Sequence, residues 1–133
     1  MIVVDANVWL AALIDAGPTG ETCRQVMESD PHWIMPSHCP LEVLRALSKY
    51  ELAGKISATA SSLFAKAVWD AVPQIVTLEG IELKHLWSLR HNVSVYDAVY
   101  VVIAMIYQAN LVTCDQRLAR AVARLDVQVH AIE

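Results

Sequence analysis

Cysteines are few in this chain, and no two of them form a recognisable motif. The 133 residues include three cysteines, Cys23, Cys39 and Cys114, without a C-x-x-C pair. An odd number without such a pair argues against a disulfide-stabilised scaffold and against a zinc knuckle. We therefore expect the protein in a reducing compartment, of which the cytoplasm is the simplest case.

Long uncharged apolar runs are also missing. Residues 1–14 are apolar but include Asp5, and no Lys or Arg precedes that acid, so they do not resemble a signal peptide. Residues 98–106 form an apolar run that is far shorter than the roughly 20 residues of a membrane span. We therefore expect no membrane association.

Charged residues are scarce, and basic residues do not outnumber acidic ones. Asp, Glu, Lys and Arg make up 18% of the chain, and the formal net charge is −4. The lack of a basic excess argues against a plain nucleic-acid-binding module, and less strongly against a metal-dependent nuclease, in which cations offset the acids. Hydrophobic residues make up 56%, which suits a single domain over residues 1–133 that buries some surface against a partner.

Short apolar runs alternate with helical patterns along the whole chain. This alternation favours βαβ units and an α/β fold, with a central parallel sheet of four to five strands flanked by helices. Ser57 and Ser94 are predicted helix N-caps, and Gly54 a helix end. We predict strands at residues 2–5, 33–35, 75–78, 111–113 and 127–129, and helices at residues 8–14, 20–28, 41–52, 57–71, 79–87, 94–108 and 116–125.

Four acids stand next to apolar runs or near predicted helix starts. Asp5 ends the first strand, Asp115 follows the fourth, and Glu42 and Asp97 lie in the first turns of predicted helices. In open α/β sheets, ligands bind beyond the carboxyl ends of the strands, so we expect these carboxylates to converge there. Two unit charges about 4 Å apart repel by roughly 4 kcal/mol at an effective dielectric of about 20, which favours a bound divalent cation. Taken singly, each acid could instead cap a helix or form a turn.

Four segments containing these acids resemble, in order, the motifs of PIN-domain proteins. The size of the chain is similar to that of VapC-type toxins of toxin–antitoxin pairs. The resemblance implies a Mg²⁺- or Mn²⁺-dependent endoribonuclease, a small cognate antitoxin, and a parallel sheet with the first strand beside the fourth. The segments are residues 2–8 (IVVDANV), 42–47 (EVLRAL), 94–100 (SVYDAVY) and 111–118 (LVTCDQRL).

The resemblance also assigns the candidate site residues. It makes Asp5, Glu42, Asp97 and Asp115 the catalytic, metal-binding acids, and Asn7 and Thr113 polar residues on the substrate side. Many relatives carry Thr or Ser where this chain has Ala6, so a hydroxyl that would orient Asp5 is missing.

Basic residues follow two of the acids. Arg117 is two residues past Asp115 and is predicted to bind RNA phosphates. Arg120 and Arg124 share its predicted helix face, and Arg45 and Lys49 follow Glu42. For Arg124 and Lys49 we favour a solvated surface.

The predicted function is hydrolysis of RNA by metal-activated water, which leaves a 5′-phosphate and a 3′-hydroxyl. Loops of transfer or ribosomal RNA are the expected targets, and a cognate antitoxin and a second copy of the chain the expected protein partners. The alternative is a catalytically inactive PIN-like binding protein. An Asp phosphatase of the D-x-D type is disfavoured because Asn7 replaces the second Asp. We expect Trp9, Trp69 and Trp87 to anchor the core or a dimer interface rather than stack on bases.

Overall fold

The computed structural model describes residues 1–79 and 81–133 of the chain. Its strands are β1 (Ile2–Val4), β2 (Trp33–Pro36), β3 (Gln74–Val76), β4 (Asn110–Thr113) and β5 (Val129–Ala131). Its α-helices are α1 (Ala6–Ile14), α2 (Pro18–Ser29), α3 (His38–Leu52), α4 (Ala58–Asp70), α5 (Leu83–Ser88), α6 (Val95–Tyr107) and α7 (Gln116–Ala121). A short 3₁₀ helix, Leu78–Gly80, follows β3. No helix in the described part of the chain is long and apolar enough to cross a bilayer.

The five strands form one parallel sheet in the order β3-β2-β1-β4-β5. β1 lies in the middle, with Val3 paired to Ile34 on one side and to Leu111 on the other. The chain builds the sheet outward from β1 to β3 and then returns to the other side of β1, so the strand order reverses between β1 and β4. This confirms the predicted α/β class and the predicted position of the first strand beside the fourth.

The sheet is covered by helices, which explains why its central strands are apolar on both faces. Val3, Val4, Leu111 and Val112 are almost fully buried. Helix α6 packs against β1, β2 and β4, and its residues 98–104 are all buried.

Local signals correctly marked several helix ends. The Ser57 hydroxyl accepts a hydrogen bond from the Ala60 amide at 3.0 Å, and the Ser94 hydroxyl accepts one from the Asp97 amide at 3.1 Å. Gly54, just after α3, has a φ of +72°, a left-handed conformation that favours glycine.

Other boundaries differ from the predictions. Helix α3 begins at His38, not at residue 41, because Pro40 is tolerated anywhere in the first turn, where amides have no intrahelical partner. Glu42 therefore lies in the second turn, which corrects its predicted place in the first. Helix α7 ends at Ala121, not at residue 125, and β5 lies two residues later than predicted. The Leu111 amide donates to the Gln128 carbonyl at 2.8 Å, so pairing with β4 sets where β5 begins.

The three predicted tryptophan anchors differ in their surroundings. Trp9 is buried and packs edge-to-face on Trp33 with ring centroids 6.0 Å apart, so its core role is confirmed. Trp69 and Trp87 are mostly exposed and do not belong to the core.

Candidate active site

Asp5 lies at the centre of the candidate site, at the carboxyl end of β1. It is only 6% exposed. Its Oδ2 accepts a hydrogen bond of 2.8 Å from the Thr113 hydroxyl, at the end of the neighbouring strand β4. The same hydroxyl accepts a hydrogen bond of 3.0 Å from the Asp115 amide. Thr113 therefore connects the segments that carry two of the four acids.

The structure gives Thr113 a role in positioning the acids. Its side chain is fully buried, and its hydroxyl both donates and accepts hydrogen bonds within the protein. Its predicted contact with the substrate stays a prediction. It also supplies Asp5 with the hydroxyl that Ala6 lacks. Asp5 is thus oriented from β4, across the strand pairing, and not from the residue that follows it.

Asp115 combines a capping role with a place in the site. One oxygen, Oδ1, accepts hydrogen bonds from the Arg117 amide at 2.9 Å and the Leu118 amide at 3.1 Å, at the start of α7. The predicted alternative, a helix cap, is therefore real for this residue. In the described part of the chain Oδ2 makes no hydrogen bond, so one oxygen remains for a ligand.

Asp97 is in the first turn of α6, yet Ser94 supplies the cap there. Among the described residues the Asp97 carboxylate makes no hydrogen bond and no ion pair, so the reciprocal bond of a capping box is missing. The helix does not need this carboxylate for its N-terminus. Its charge is left free for another use.

Glu42 approaches the group from α3. Its side chain is 44% exposed, and its Oε1 lies 3.2 Å from Nε2 of His38, one helical turn earlier. The geometry does not make this contact a hydrogen bond. Burial lowers the pKa of His38, more than the nearby charge of Asp97 raises it, so the imidazole tends to be neutral.

The charges of other acids in the group raise the pKa values of Asp5 and Glu42. The pKa of Asp5 is raised by burial and by the charges of Asp97 and Asp115, although the Thr113 hydrogen bond lowers it. The pKa of Glu42 is raised by burial and by the charges of Asp5 and Asp97. No Lys or Arg in the described residues lies within 4 Å of these four carboxylates. The protein alone therefore leaves the repulsion among them uncompensated.

The four carboxylates fit a hard divalent ion that keeps water molecules as several of its ligands. In the described chain, no three His, Cys, Asp or Glu side chains are placed to hold one metal ion together. Mg²⁺ typically binds one or two carboxylates and retains several waters, so it does not require three converging side chains. Oxygen donors, uncompensated negative charge and an open rim are the features that such an ion requires.

Comparisons with known proteins identify the family of the chain. A family model of the PIN domain matches residues 2–124. The chain belongs to the PIN-domain family. Ribonuclease VapC1 of Mycobacterium tuberculosis is 32% identical over 127 residues, which cover 90% of this chain and 89% of that protein. Ribonuclease VapC3 of the same species is 32% identical over 125 residues, which cover 90% and 86%.

Solved structures share the fold of this PIN domain. PAE2754 from Pyrobaculum aerophilum superposes with a TM-score of 0.69 at 20% identity, covering 96% of this chain and 89% of that one. A chain of VapBC2 from Rickettsia felis, in a structure bound to a DNA fragment from the promoter, superposes with a TM-score of 0.68 at 13% identity, and both chains are fully covered. At these identities the similarity concerns the fold.

Two open cavities flank the acids of the PIN domain. One, of about 390 Å³, is lined by Asp97, Asp115, Arg117 and residues 90–94. The other, of about 460 Å³, lies on the Glu42 side and is also lined by Arg45. Three of the acids therefore line one or other of two cavities, each of which also contains at least one exposed arginine.

The remaining predicted residues are placed unevenly. Asn7 is exposed on α1 and shares a smaller cavity, of about 200 Å³, with Glu42, Arg45 and Lys49. Arg124 lies beyond the end of α7, so it does not share a helix face with Arg117 as predicted.

Sequence reasoning did not identify an aromatic cluster beside the acids. His38 packs edge-to-face against both Tyr96 and Tyr100, with ring centroids 5.5 Å apart in each case. The Tyr100 hydroxyl is buried and, among the described residues, has no hydrogen-bond partner. The sequence does contain a signal for this cluster, because His38 is four residues before Glu42, and the two tyrosines flank Asp97. The signal could be recognised only once α3 was known to begin at His38.

Proposed function

We propose that this PIN domain is a VapC-type endoribonuclease, the toxin of a toxin–antitoxin pair, which hydrolyses RNA with Mg²⁺ or, as a substitute, Mn²⁺. The observation that carries the proposal is the group of four carboxylates that no Lys or Arg of the described residues pairs with. It includes the buried Asp5, which is oriented by the Thr113 hydroxyl. The two M. tuberculosis relatives, which are named ribonucleases and match most of the chain, support the same reading.

Each acid has a distinct part in this proposal. Asp5, Asp97 and Asp115 would hold the ion or ions through their free oxygens, with one or two carboxylates and several waters on each ion, and Glu42 would complete the site or orient the attacking water. Bound Mg²⁺ supplies acidified water and offsets negative charge on the phosphate. Thr113 keeps Asp5 in place, and the Asp115 hydrogen bonds to α7 keep one of its oxygens fixed.

The substrate and partner assignments follow from the surface around the acids. Arg117 and Arg45 each line a cavity that also contains one or two of the acids, where they can bind phosphates of one strand. Accessible single-stranded loops of transfer or ribosomal RNA suit such a site. Exposed apolar side chains on α3 and α4, including Leu52 and Leu63, offer surface for the antitoxin or for a second copy of the chain.

The test is cleavage of a labelled structured RNA by the purified chain. We expect cleavage with Mg²⁺, none with excess EDTA, and products ending in 5′-phosphate and 3′-hydroxyl. Asp70→Asn is a matched control, since Asp70 is an exposed carboxylate on α4 paired with Lys66, and it should cleave normally. Products with 2′,3′-cyclic phosphates would contradict water attack.

A catalytically inactive PIN-like binding protein is the second candidate. It is favoured by one observation: no three potential ligands in the described residues converge on one point. Under this alternative the chain binds RNA or a protein partner, but metal produces no cleavage in the same assay.

A further inference from the structure

The cavity on the Glu42 side has an unusual lining for the edge of an acidic site. Its walls are His38, Leu41, Glu42, Arg45 and Tyr96. One end is therefore charged, while the rest is aromatic and aliphatic. Its volume of about 460 Å³ lies within the range of roughly 300–1,000 Å³ that is usual for small-molecule sites.

Tyr96 is the most exposed aromatic side chain at the site. It is 71% exposed, although it directly precedes Asp97 and lies just before the buried residues 98–104 of the same helix. Its ring is in edge-to-face contact with His38, which is itself fixed against buried Tyr100. The ring is thus supported from the protein side while most of its surface stays open to a ligand.

Arg45 completes the chemistry of the cavity. It is exposed one helical turn after Glu42, and no carboxylate of the described residues forms an ion pair with it. A flat apolar surface next to an unpaired guanidinium and a candidate metal-binding acid matches one nucleotide of a single strand: base on the ring, phosphate on the arginine.

We propose that this cavity is a nucleobase subsite, in which an unpaired base of the RNA stacks on Tyr96 while Arg45 binds the adjoining phosphate. The inference rests on the proposed ribonuclease function and adds where the nucleotide beside the cleaved bond is held. Because every base has a stacking face, the subsite selects for an unpaired nucleotide more than for one base. It thereby favours loops and single strands over duplex RNA.

The experiment measures binding of fluorescent RNA decamers (oligo-A, oligo-U and an abasic decamer) by anisotropy with Mg²⁺, in the full chain carrying Asp97→Asn to prevent cleavage. Adding Tyr96→Ala should weaken binding of oligo-A and oligo-U about 5- to 100-fold. Tyr96→Phe, which keeps the stacking face, should stay within about twofold of the parent. The abasic decamer should bind all variants alike.

Trp69→Ala is the matched control, because Trp69 is a similarly exposed aromatic residue, 64% accessible, on α4 and does not line the cavity. It should leave RNA binding unchanged, and thermal unfolding should show that every variant folds. If Tyr96→Ala binds oligo-A and oligo-U as the parent does, the subsite is overturned, and the cavity is left to a protein partner.

Cleavage by the chain without Asp97→Asn, measured in parallel, separates the two proposals. Metal-dependent cleavage together with Tyr96-independent binding overturns the subsite and leaves the ribonuclease function standing. Tyr96-dependent binding without cleavage supports the subsite and overturns the hydrolytic function. Absence of binding to any RNA overturns both.

Discussion

At the residue scale, Thr113 is the side chain on which the geometry of the candidate site depends most. Its hydroxyl joins Asp5 to the segment that carries Asp115, and it is buried, so water cannot replace it freely. The hydrogen bond that it donates stabilises the charged form of Asp5 against burial and against two neighbouring charges. Burial raises the pKa of Asp5 most, and the Thr113 hydrogen bond is the largest influence in the opposite direction.

Thr113→Val tests this role with a side chain of nearly the same shape. Loss of the donor raises the pKa of Asp5 further, so a higher pH is needed to ionise it, and the acidic limb of the kcat/KM profile should move to higher pH. At neutral pH we expect kcat/KM to fall about 10- to 100-fold, the usual effect of losing a hydrogen bond to a metal-binding side chain. The measurement is the pH–rate profile for cleavage of one RNA.

Two further variants make the Thr113 result specific. Thr113→Ser restores the hydroxyl and should recover most of the activity. Thr59→Val makes the same exchange on an exposed position of α4 and should change nothing. An unshifted acidic limb in Thr113→Val would show that the hydroxyl does not control Asp5.

At the scale of the elements, α6 and α7 both begin at the site but use their acids differently. Ser94 caps α6, which leaves the Asp97 carboxylate without a structural task. Asp115 caps α7 through two amide hydrogen bonds. The two acids therefore differ in what they contribute to stability, even though both belong to the candidate site.

Matched alanine variants should distinguish a helix-capping role from a role in the candidate site. Asp115→Ala loses the cap and should lower the free energy of unfolding by about 1 kcal/mol. Asp97→Ala loses no cap and relieves repulsion, so the metal-free protein should be unchanged or more stable. Both should lose RNA cleavage. Urea unfolding in EDTA measures the stabilities, and a large loss in Asp97→Ala would contradict the assignment of the cap to Ser94.

The elements also show which parts of the fold the sequence can specify. Apolar runs between turn residues were enough to predict five strands and their parallel arrangement, and Ser57, Gly54 and Ser94 marked ends through hydrogen bonds to near neighbours. The end of α7 and the start of β5 depend on pairing with β4, which no local pattern contains. The start of α3 was missed because Pro40 fits several positions of a first turn.

The same distinction holds for the site. Positions after strands and near helix starts located the four acids, since the rim of a parallel sheet is where such residues meet. The Thr113–Asp5 hydrogen bond joins residues 108 apart in sequence and depends on the register of β1 and β4, so it required coordinates. The contact of His38 with Tyr96 likewise joins two helices that are distant along the chain.

At the scale of the whole molecule, the metal-free fold contains neighbouring negative charges that repel one another and are not neutralised by a Lys or Arg of the described residues. The folded-state pKa values of Asp5 and Glu42 are raised above their ordinary values. The folded protein thus holds these protons more tightly than the unfolded chain does. Stability from this source is present below the ordinary carboxyl pKa and is lost as pH rises through the raised folded values.

A divalent ion should reverse this loss, because it binds the ionised carboxylates of the folded state. At neutral pH, Mn²⁺ at about ten times its Kd should stabilise the protein by about 1.4 kcal/mol, which corresponds to a rise in Tm of roughly 4 °C. Below the ordinary carboxyl pKa the acids are protonated, so the same Mn²⁺ should have little effect there. Thermal unfolding across pH, with and without Mn²⁺, measures both effects of the ion. We expect Mn²⁺ to raise the Tm of Asp97→Ala less than that of the parent, and to raise the Tm of Asp70→Asn as much as that of the parent. An equal rise in Tm at acidic and neutral pH would mean that the ion binds elsewhere than at these four carboxylates.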